Sequence, residues 1–361
     1  MTKLRTKVDR FFNFIRSKHV GDLVTASDLL SATGWTKVTL ETHERKNALA
    51  PFLQPIGGGK YRVRRDGGEI TANEIREKFT QIRPVEFQLS AGLKVKGQSA
   101  TYELVEELGR GAVGHVWKAT KIIGGAVVAV KLLNPRPDLL DPKVIGDVTK
   151  RFAREAKNGL AVKHPNIIPY VDLGEYDGHP FLVMEYASGM LSDVIATSPL
   201  TIEASLEIIA TCATGLRHLA ASNSPHRDVK PDNILLYQER YVLGDLGVVK
   251  WSDMNPAFKS AGSMTKESMR LGSWYYMAPE QRIKSHDATP ASDIYALGMS
   301  WYEMLTGDTP DPTQIVAGDY DPPSANVEIN EFIGKMLKYK ASERPTIDEV
   351  LEFVEKKRAK T

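Results

Sequence analysis

A chain of 361 residues, of which 42% are hydrophobic and 25% are charged, has the composition of a globular protein with two or three domains. Its one cysteine, Cys212, excludes an intramolecular disulfide and a cysteine-rich zinc site, and the apolar stretch around it predicts a buried thiol. No run approaches the roughly 20 apolar residues needed to cross a bilayer, and the first residues lack the apolar core of a secretion signal. We therefore expect a cytoplasmic protein with no membrane partner.

The net charge of +2 conceals an asymmetry along the chain. Residues 1–65 carry 13 Lys/Arg against 5 Asp/Glu, whereas the remaining residues carry 34 against 40. A basic front segment favours a partner that carries negative charge, or else it is a solvated basic face.

The front segment shows a helical apolar period in three places. The pattern predicts a helix around residues 8–15, a short helix at Leu29 and Leu30, and a third helix over residues 36–50 that Pro51 ends. A hairpin follows in PFLQPIGGGKYRVRR, where three glycines form the turn and apolar and basic residues alternate on the second strand. Three helices and a basic hairpin resemble a winged helix-turn-helix domain, whose wing would present Lys60, Arg62, Arg64 and Arg65.

The pattern changes twice after this segment. Residues 66–100 contain a predicted helix from Asn73 to Ile82 and otherwise read as a connector. From Tyr102 onward the pattern favours strands such as Val127 to Leu132, and after Ser188 it favours long helices. A β-rich lobe followed by a helical lobe is expected.

A glycine-rich motif opens the β-rich part. In LGRGAVGHVWKA the glycines at 109, 111 and 114 would let backbone N–H groups approach phosphate oxygens, although a glycine-rich turn without a ligand is the plainer alternative. In AVVAVKLL, Lys131 sits inside an apolar strand and needs a partner, for which Glu155 on the following helix is the candidate. Such a pair would present the ammonium to the phosphates of a nucleotide.

The motif HRDVKPDNILL, from His226 to Leu236, makes the chain resemble the eukaryotic-type, or Hanks-type, serine/threonine protein kinases. The resemblance implies that Asp228 accepts the proton of the acceptor hydroxyl and that Lys230 steadies the γ-phosphoryl group. It also implies ATP as cosubstrate and Mg²⁺ as the metal, with Mn²⁺ as the alternative, and assigns the metal to Asn233 and Asp245. In GDLGVVK a leucine stands where the family has phenylalanine after the metal-binding aspartate.

The same resemblance assigns the remaining parts of the nucleotide site. FLVMEYA, residues 181–187, would be the hinge between two lobes, and apolar side chains would sandwich the adenine ring. The implied nucleotide-binding residues are Leu108, Gly109, Gly111, Gly114, Val116, Ala129, Lys131, Met184, Glu185, Ala187 and Leu235. The catalytic set is Asp228, Lys230, Lys131, Glu155, Asn233 and Asp245.

The expected fold is therefore α+β, a bilobal protein kinase fold preceded by a small winged helix-turn-helix-like domain. Its predicted parts are residues 1–65 for the front domain, 66–100 for the connector, 101–187 for the N-lobe with the hinge, and 188–361 for the C-lobe. In the C-lobe, Glu280 would pair with Arg344, and Asp293 would brace the backbone of the catalytic loop.

Two features suggest that the activity is regulated. The segment from Asp245 to Glu280 contains several hydroxyl residues, and we expect autophosphorylation at Thr265 or Ser268, which a dimer would carry out between two copies. Gly159 stands where the family places a bulky apolar residue, so the helix is either loosely held beside a gap or a neighbouring side chain fills that gap.

The sequence leaves alternatives open. Residues 1–65 would bind DNA or a protein, or present a merely solvated basic face. The whole chain is read as a protein kinase acting on protein substrates, with an ATP-sensing DNA-binding regulator of slow or vestigial kinase activity as the second hypothesis. A small-molecule kinase of similar fold is the third. The style of RFAREA and DIYALG resembles bacterial members of the family.

Overall fold

The structure is a computed structural model that describes residues 10–35, 40, 49–71, 74–75, 89–110, 114–134, 142–222, 224–246, 273–283 and 288–359. Within these ranges the side chains of residues 142–148, 150–151, 155 and 273 are outside the description. Among the described helices, none combines the length and the apolar composition that crossing a bilayer requires.

The front part is a small α/β unit. Residues 10–16 form helix α1, and they are followed by strand β1 (Leu23–Thr25), helix α2 (Ala26–Thr33) and the hairpin of β2 (Leu53–Gly57) and β3 (Lys60–Val63). The three strands form an antiparallel sheet in the order β1-β3-β2, so the first strand pairs with the last. The first two predicted helices and the hairpin are confirmed, whereas β1 was not predicted.

The core of the front unit explains why the local patterns hold. Phe11 from α1 stacks on Trp35 with ring centroids 5.2 Å apart and meets Phe52 edge-on. On β3, Tyr61 and Val63 are buried, while Lys60 and Arg62, which alternate with them, are exposed. The turn residues 57–59 all have positive φ, which glycine adopts without a Cβ penalty.

The predicted third helix lies almost wholly outside the described residues. Leu49 and Ala50 are in a bend and a turn, so the predicted helix does not extend to residue 50. The helix predicted from Asn73 also lies mostly outside them, and of it only residues 74–75 are seen as helical.

A six-stranded antiparallel sheet forms the next part of the chain. Its spatial order is β4-β5-β6-β7-β9-β8, and helix α3 (Pro142–Ala161) packs on one face through Phe152 and Ala156. The opposite face carries a second apolar cluster around Trp117 and Phe181. The strands are β4 (Lys94–Lys96), β5 (Thr101–Arg110), β6 (Gly114–Lys121), β7 (Val127–Leu133), β8 (Tyr170–Tyr176) and β9 (His179–Glu185).

The sheet begins inside the segment predicted as a connector. Strand β4 pairs with β5, and the loop between them is held by Asp172, a buried residue of β8. Its carboxylate accepts hydrogen bonds from the backbone N–H groups of Gln98, Ser99 and Ala100, at 3.1 Å each, and from the Tyr102 hydroxyl at 2.9 Å. The sequence contains no local signal for this contact, because the carboxylate lies about 70 residues or more from these partners.

The C-terminal part is helical around one large apolar core. Two short strand pairs lie at its edge toward the sheet: β10 (Gly189–Met190) with β11 (Ile234–Tyr237), and β11 with β12 (Arg240–Leu243). Cys212 lies in this core, so the prediction of a buried thiol is confirmed, and burial raises its pKa to about 12. The helices are α4 (Leu191–Ile195), α5 (Ile202–Ala221), α6 (Ser273–Tyr276), α7 (Pro279–Ile283), α8 (Pro290–Thr306), α9 (Pro312–Ala317), α10 (Val327–Met336) and α11 (Ile347–Arg358).

Replacing Asp172 by Asn tests the anchoring of β4. In urea unfolding at neutral pH, the free energy of unfolding should fall by roughly 2–4 kcal/mol, because an amide NH₂ would face backbone donors inside the protein. Burial raises the pKa of Asp172, but the hydrogen bonds from Ser99, Leu173 and Tyr102 outweigh it and hold that pKa below its ordinary value of 3.8.

A depressed pKa in the folded state stabilises the protein above the unfolded value, and this contribution is lost as the pH falls through the folded value. The stability difference between the wild type and Asp172→Asn should therefore shrink below about pH 4. The exposed carboxylate variant Asp319→Asn serves as the control and should behave as the wild type at every pH. A difference that persists undiminished in acid would contradict this role of the Asp172 charge.

Candidate active site

The apolar strand β7 brings a lysine to an aspartate that follows β12. The Lys131 ammonium lies 2.5 Å from each carboxylate oxygen of Asp245, and the lysine side chain is 15% exposed. A mostly buried ammonium requires such a partner, as the sequence indicated. The partner expected from the sequence was instead Glu155, whose position lies on helix α3 but whose side chain is outside the described residues.

The loop from His226 to Asn233, which the sequence predicts to be catalytic, brings three of the predicted residues together. The side-chain amide of Asn233 donates to the backbone oxygen of Asp228 at 2.7 Å and to its carboxylate at 2.8 Å. The Lys230 ammonium lies 3.7 Å from the same carboxylate and 3.8 Å from that of Asp232. A short 3₁₀ turn from Pro231 to Asn233 brings these side chains to the same side of the loop.

The charge of Lys230 interacts both with the Asp228 group and with Asp245. Burial lowers its pKa, but the negative charges of Asp228, Asp232 and Asp245 more than compensate, and the pKa lies above its ordinary value. The ammonium therefore stays charged at neutral pH while it is 14% exposed. The Lys230 ammonium therefore offsets part of the negative charge of these three carboxylates.

A buried carboxylate on helix α8 fixes the backbone that precedes Asp228. Asp293 accepts the N–H groups of His226 and Arg227 at 2.7 and 2.8 Å. The His226 imidazole in turn donates through Nε2 to the carbonyl of Gly244 at 2.9 Å and accepts the Asp228 N–H at Nδ1. The predicted bracing role of Asp293 is confirmed, and the contact extends to the segment that carries Asp245.

A bidentate ion pair links helix α7 to Arg344 near the C-terminal end of the chain. The Arg344 guanidinium, fully buried, donates to the two carboxylate oxygens of Glu280 at 2.7 and 2.8 Å, and Ser292 donates to the same carboxylate. Burial raises the pKa of Glu280, but these hydrogen bonds outweigh it and lower the pKa below its ordinary value. The predicted Glu280–Arg344 pair is confirmed.

The apolar residues predicted to sandwich a nucleotide base share one cluster. The register pairs Ala129 of β7 with Met184 of β9, and it pairs Val116 of β6 with Lys131. Ala129 and Met184 are nearly buried, and the partly buried Val116, Ala187 and Leu235 pack against the same cluster. Glu185 ends β9 immediately before the segment that leads to the helical lobe.

The glycine-rich motif connects β5 and β6. A Cβ at Gly114 would overlap the carbonyl oxygen of Leu132, so glycine is needed there for strand packing, whereas no atom of the described residues lies within 4 Å of a Cβ built at Gly109. Leu108 is 41% exposed, and Gly111 lies outside the described residues. Among the described residues, none would therefore obstruct a side chain at position 109.

The gap predicted beside Gly159 is filled. A Cβ at this position on α3 would overlap the ring of Tyr170, the first residue of β8. The Tyr170 hydroxyl accepts the backbone N–H of Leu246 at 2.9 Å, so a side chain that the sequence pattern did not reveal contacts the segment that carries Asp245. The sequence signal for this contact was the combination of a glycine on the helix and a bulky residue at the start of the next strand.

The oxygen donors at this site suit a hard divalent cation. Asp245 supplies a carboxylate, and Asn233 uses its amide nitrogen toward Asp228, which leaves its amide oxygen out of those hydrogen bonds. Within the described ranges there is no cluster of three or more His, Cys, Asp or Glu that could hold a metal by itself. The donor set therefore fits a metal that shares its coordination with a ligand's phosphates rather than a cage made of protein groups.

Comparisons with known proteins agree with this geometry. A family model described as protein kinase domain matches residues 102–354. Serine/threonine-protein kinase PrkC of Bacillus subtilis is 35% identical over 215 residues, covering 59% of this chain and 31% of that protein. Serine/threonine-protein kinase PknB of Mycobacterium tuberculosis is 36% identical over 247 residues, covering 64% and 37%. The chain thus spans about a third of the length of these relatives.

The fold agrees as well. The crystal structure of a mutant form of the Mycobacterium tuberculosis PknI kinase domain superposes with a TM-score of 0.54 at 22% identity, covering 75% of this chain and 99% of that one. Serine/threonine-protein kinase A of Synechocystis is 39% identical over 223 residues, covering 58% of this chain and 41% of that protein. With the family model matched over well over half of its length and the Asp228 and Asp245 groups assembled, the chain belongs to the protein kinase family.

Proposed function

We propose that the chain is a serine/threonine protein kinase that transfers the γ-phosphoryl group of ATP to Ser or Thr hydroxyls of proteins. The observation that carries the proposal is the cluster of Asp228, Lys230 and Asn233, joined through the charge of Lys230 to Asp245 and Lys131. This arrangement provides a base, two cations and oxygen ligands for a metal within one group of interacting side chains.

Each side chain has a defined part in the transfer. The Asp228 carboxylate, oriented by the Asn233 amide, accepts the proton of the acceptor hydroxyl. At the same time the hydroxyl oxygen forms a bond to the γ-phosphorus. The bond from that phosphorus to the β,γ-bridging oxygen breaks, and ADP leaves with the electron pair. The charged Lys230 neutralises the moving phosphoryl group, and Lys131 would turn from Asp245 to the phosphates of the bound nucleotide.

The family implies a divalent metal, for which we propose Mg²⁺ with Mn²⁺ as a substitute. Asn233 and Asp245 would hold it, since both carry the oxygen ligands that hard cations prefer. When bound, the metal neutralises phosphate charge and orients the β- and γ-phosphates. Without the metal, the carboxylate of Asp245 contacts the Lys131 ammonium through both of its oxygens.

The acceptor class follows from the loop. Lys230, two residues after Asp228, is the serine/threonine form of the motif that this chain resembles, and the named relatives are serine/threonine kinases. An ATP-sensing regulator of slow or vestigial activity is the alternative. The intact set of Lys131, Asp228 and Asp245 favours turnover.

Replacing Asp228 by Asn should reduce transfer from labelled ATP to myelin basic protein by roughly 10²- to 10⁴-fold, because the base is lost while the hydrogen-bonding shape is retained. Acid hydrolysis of the wild-type product should give phosphoserine or phosphothreonine. The variant Asp319→Asn, an exposed carboxylate far from the motifs in sequence, should retain wild-type turnover. Label on tyrosine alone, or equal rates for the wild type and Asp228→Asn, would contradict the proposal.

We also propose autophosphorylation on the segment between Asp245 and Glu280, whose residues 247–272 lie outside the described part of the chain. Mass spectrometry after incubation with ATP and Mg²⁺ should find phosphate on Thr265 or Ser268 in the wild type. Protein carrying Asp228→Asn, treated in parallel, should carry none. The absence of phosphate on this segment in both proteins would refute the idea.

For the front unit, residues 1–65, we propose binding to nucleic acid through phosphate contacts. The supporting observation is the alternation that begins on β3 and continues one residue past it: Lys60, Arg62 and Arg64 are exposed, whereas Tyr61 and Val63 are buried. Arg65 does not belong to this surface, because it pairs with Glu74 and donates to the backbone oxygen of Glu69. Docking of an acidic protein is the alternative.

Gel shifts of the full chain with duplex DNA test the basic surface. Replacing Lys60, Arg62 and Arg64 by Gln should weaken binding and reduce the slope of log K against log salt by about 0.9 for each phosphate that is no longer neutralised. The matched control replaces the exposed Lys335, Lys338 and Lys356 by Gln, which removes the same charge from the C-terminal part. No binding, or binding that salt does not weaken, would favour protein docking.

A further inference from the structure

The space beside helix α3 is occupied from the neighbouring strand. Gly159 is buried, and any side chain added there would overlap Cδ2 and Cε2 of the Tyr170 ring. A glycine in a helix interior costs about 1 kcal/mol relative to alanine. The two residues are therefore complementary, because the missing side chain at 159 is what admits the tyrosine ring.

The ring delivers a polar group to the segment that carries Asp245. Tyr170 is 1% exposed, and its hydroxyl accepts the backbone N–H of Leu246 at 2.9 Å. Leu246 itself packs against the apolar clusters of both lobes. A hydroxyl at the end of a rigid, buried ring can hold a backbone N–H with little freedom to move.

Asp245 has a backbone conformation that needs such support. Its φ is +48°, in the left-handed region, which is strained for a residue other than glycine and persists when the surroundings hold it. Both of its neighbours are held: His226 donates to the Gly244 carbonyl at 2.9 Å, and Tyr170 accepts from Leu246. The two hydrogen bonds therefore fix the residue immediately before Asp245 and the residue immediately after it.

We propose that Tyr170 is a positioning residue that fixes the carboxylate of Asp245 for metal-nucleotide binding, and that Gly159 is required to admit it. The inference rests on the proposed function, since it concerns the same site. In this chain Tyr170 of strand β8 contacts the segment of Asp245, as a bulky side chain at position 159 of the helix would otherwise do. Tyr170 touches neither the reacting atoms nor the metal, and it acts through the backbone of residues 245 and 246.

The variant Tyr170→Phe removes the hydroxyl and keeps the ring, so folding should be preserved. Calorimetric binding of a non-hydrolysable ATP analogue to the full chain should weaken roughly 3- to 10-fold in Mg²⁺ and remain unchanged in EDTA, because Asp245 acts through the metal. In turnover assays kcat should fall by a similar factor. The control Tyr176→Phe, on the same strand but packed against the cluster on the opposite face of the sheet, should match the wild type.

Equal affinity of the wild type and Tyr170→Phe in Mg²⁺ would overturn the inference. So would an equal loss with and without Mg²⁺, since that result would indicate a general effect on folding or on the nucleotide pocket. If the wild type itself binds no nucleotide, the proposed function fails instead.

Hydrogen exchange tests the contact without any ligand. Mass spectrometry of the peptide containing Leu246 should show amide exchange several-fold faster in Tyr170→Phe than in the wild type or in Tyr176→Phe, because that N–H no longer has the hydroxyl as its acceptor. Unchanged exchange of this peptide would overturn the inference independently of kinase activity.

The reciprocal variants test the role of Gly159. Gly159→Leu alone should displace the ring, reproduce the Mg²⁺-dependent loss and lower the melting temperature. Adding Tyr170→Ala should restore the melting temperature, since the new leucine then fills the space, but it should not restore Mg²⁺-dependent affinity. Full recovery of that affinity in the double variant would show that packing, and not the hydroxyl, positions Asp245.

Discussion

The buried carboxylate of Asp293 is the contact on which the rest of the site depends. By accepting two consecutive backbone N–H groups, those of His226 and Arg227, it fixes the catalytic loop to helix α8 inside the helical lobe. Arg227 has φ +72°, so the loop holds a strained conformation at this point. Because His226 reaches on to the Gly244 carbonyl, the same carboxylate also determines where the chain enters Asp245.

The charges of the site are arranged so that no ion among these residues is isolated. Lys131 lies against Asp245, Lys230 lies between Asp228 and Asp232, and burial makes each pairing necessary. In the proposed function, the phosphates of ATP would bring negative charge to the two ammonium groups, and a divalent metal would contact the Asp245 carboxylate that Lys131 releases.

The chain that leads in from the front unit is connected to the kinase sheet by strand β4. This strand lies before the residues matched by the kinase family, yet it pairs with β5 and is held in place by Asp172. Tyr170 and Asp172 are two residues apart on β8; Tyr170 contacts the segment that carries Asp245, and Asp172 holds the loop after β4. One strand therefore contacts both the catalytic segment and the residues that precede the kinase domain.

The sequence by itself determined the order of the motifs, the residue types at positions 131, 228, 233 and 245, and the local elements with a clear period, such as the hairpin around the three glycines. These follow from contacts between residues that are close in the chain or from chemistry that requires a particular side chain. The tertiary structure alone decided that Lys131 meets Asp245, that β1 pairs with β3, and that Tyr170 fills the space at Gly159 and holds Leu246. The Tyr170 hydroxyl and its partner are 76 residues apart, and a local pattern contains no information about which distant group will lie against a buried ring.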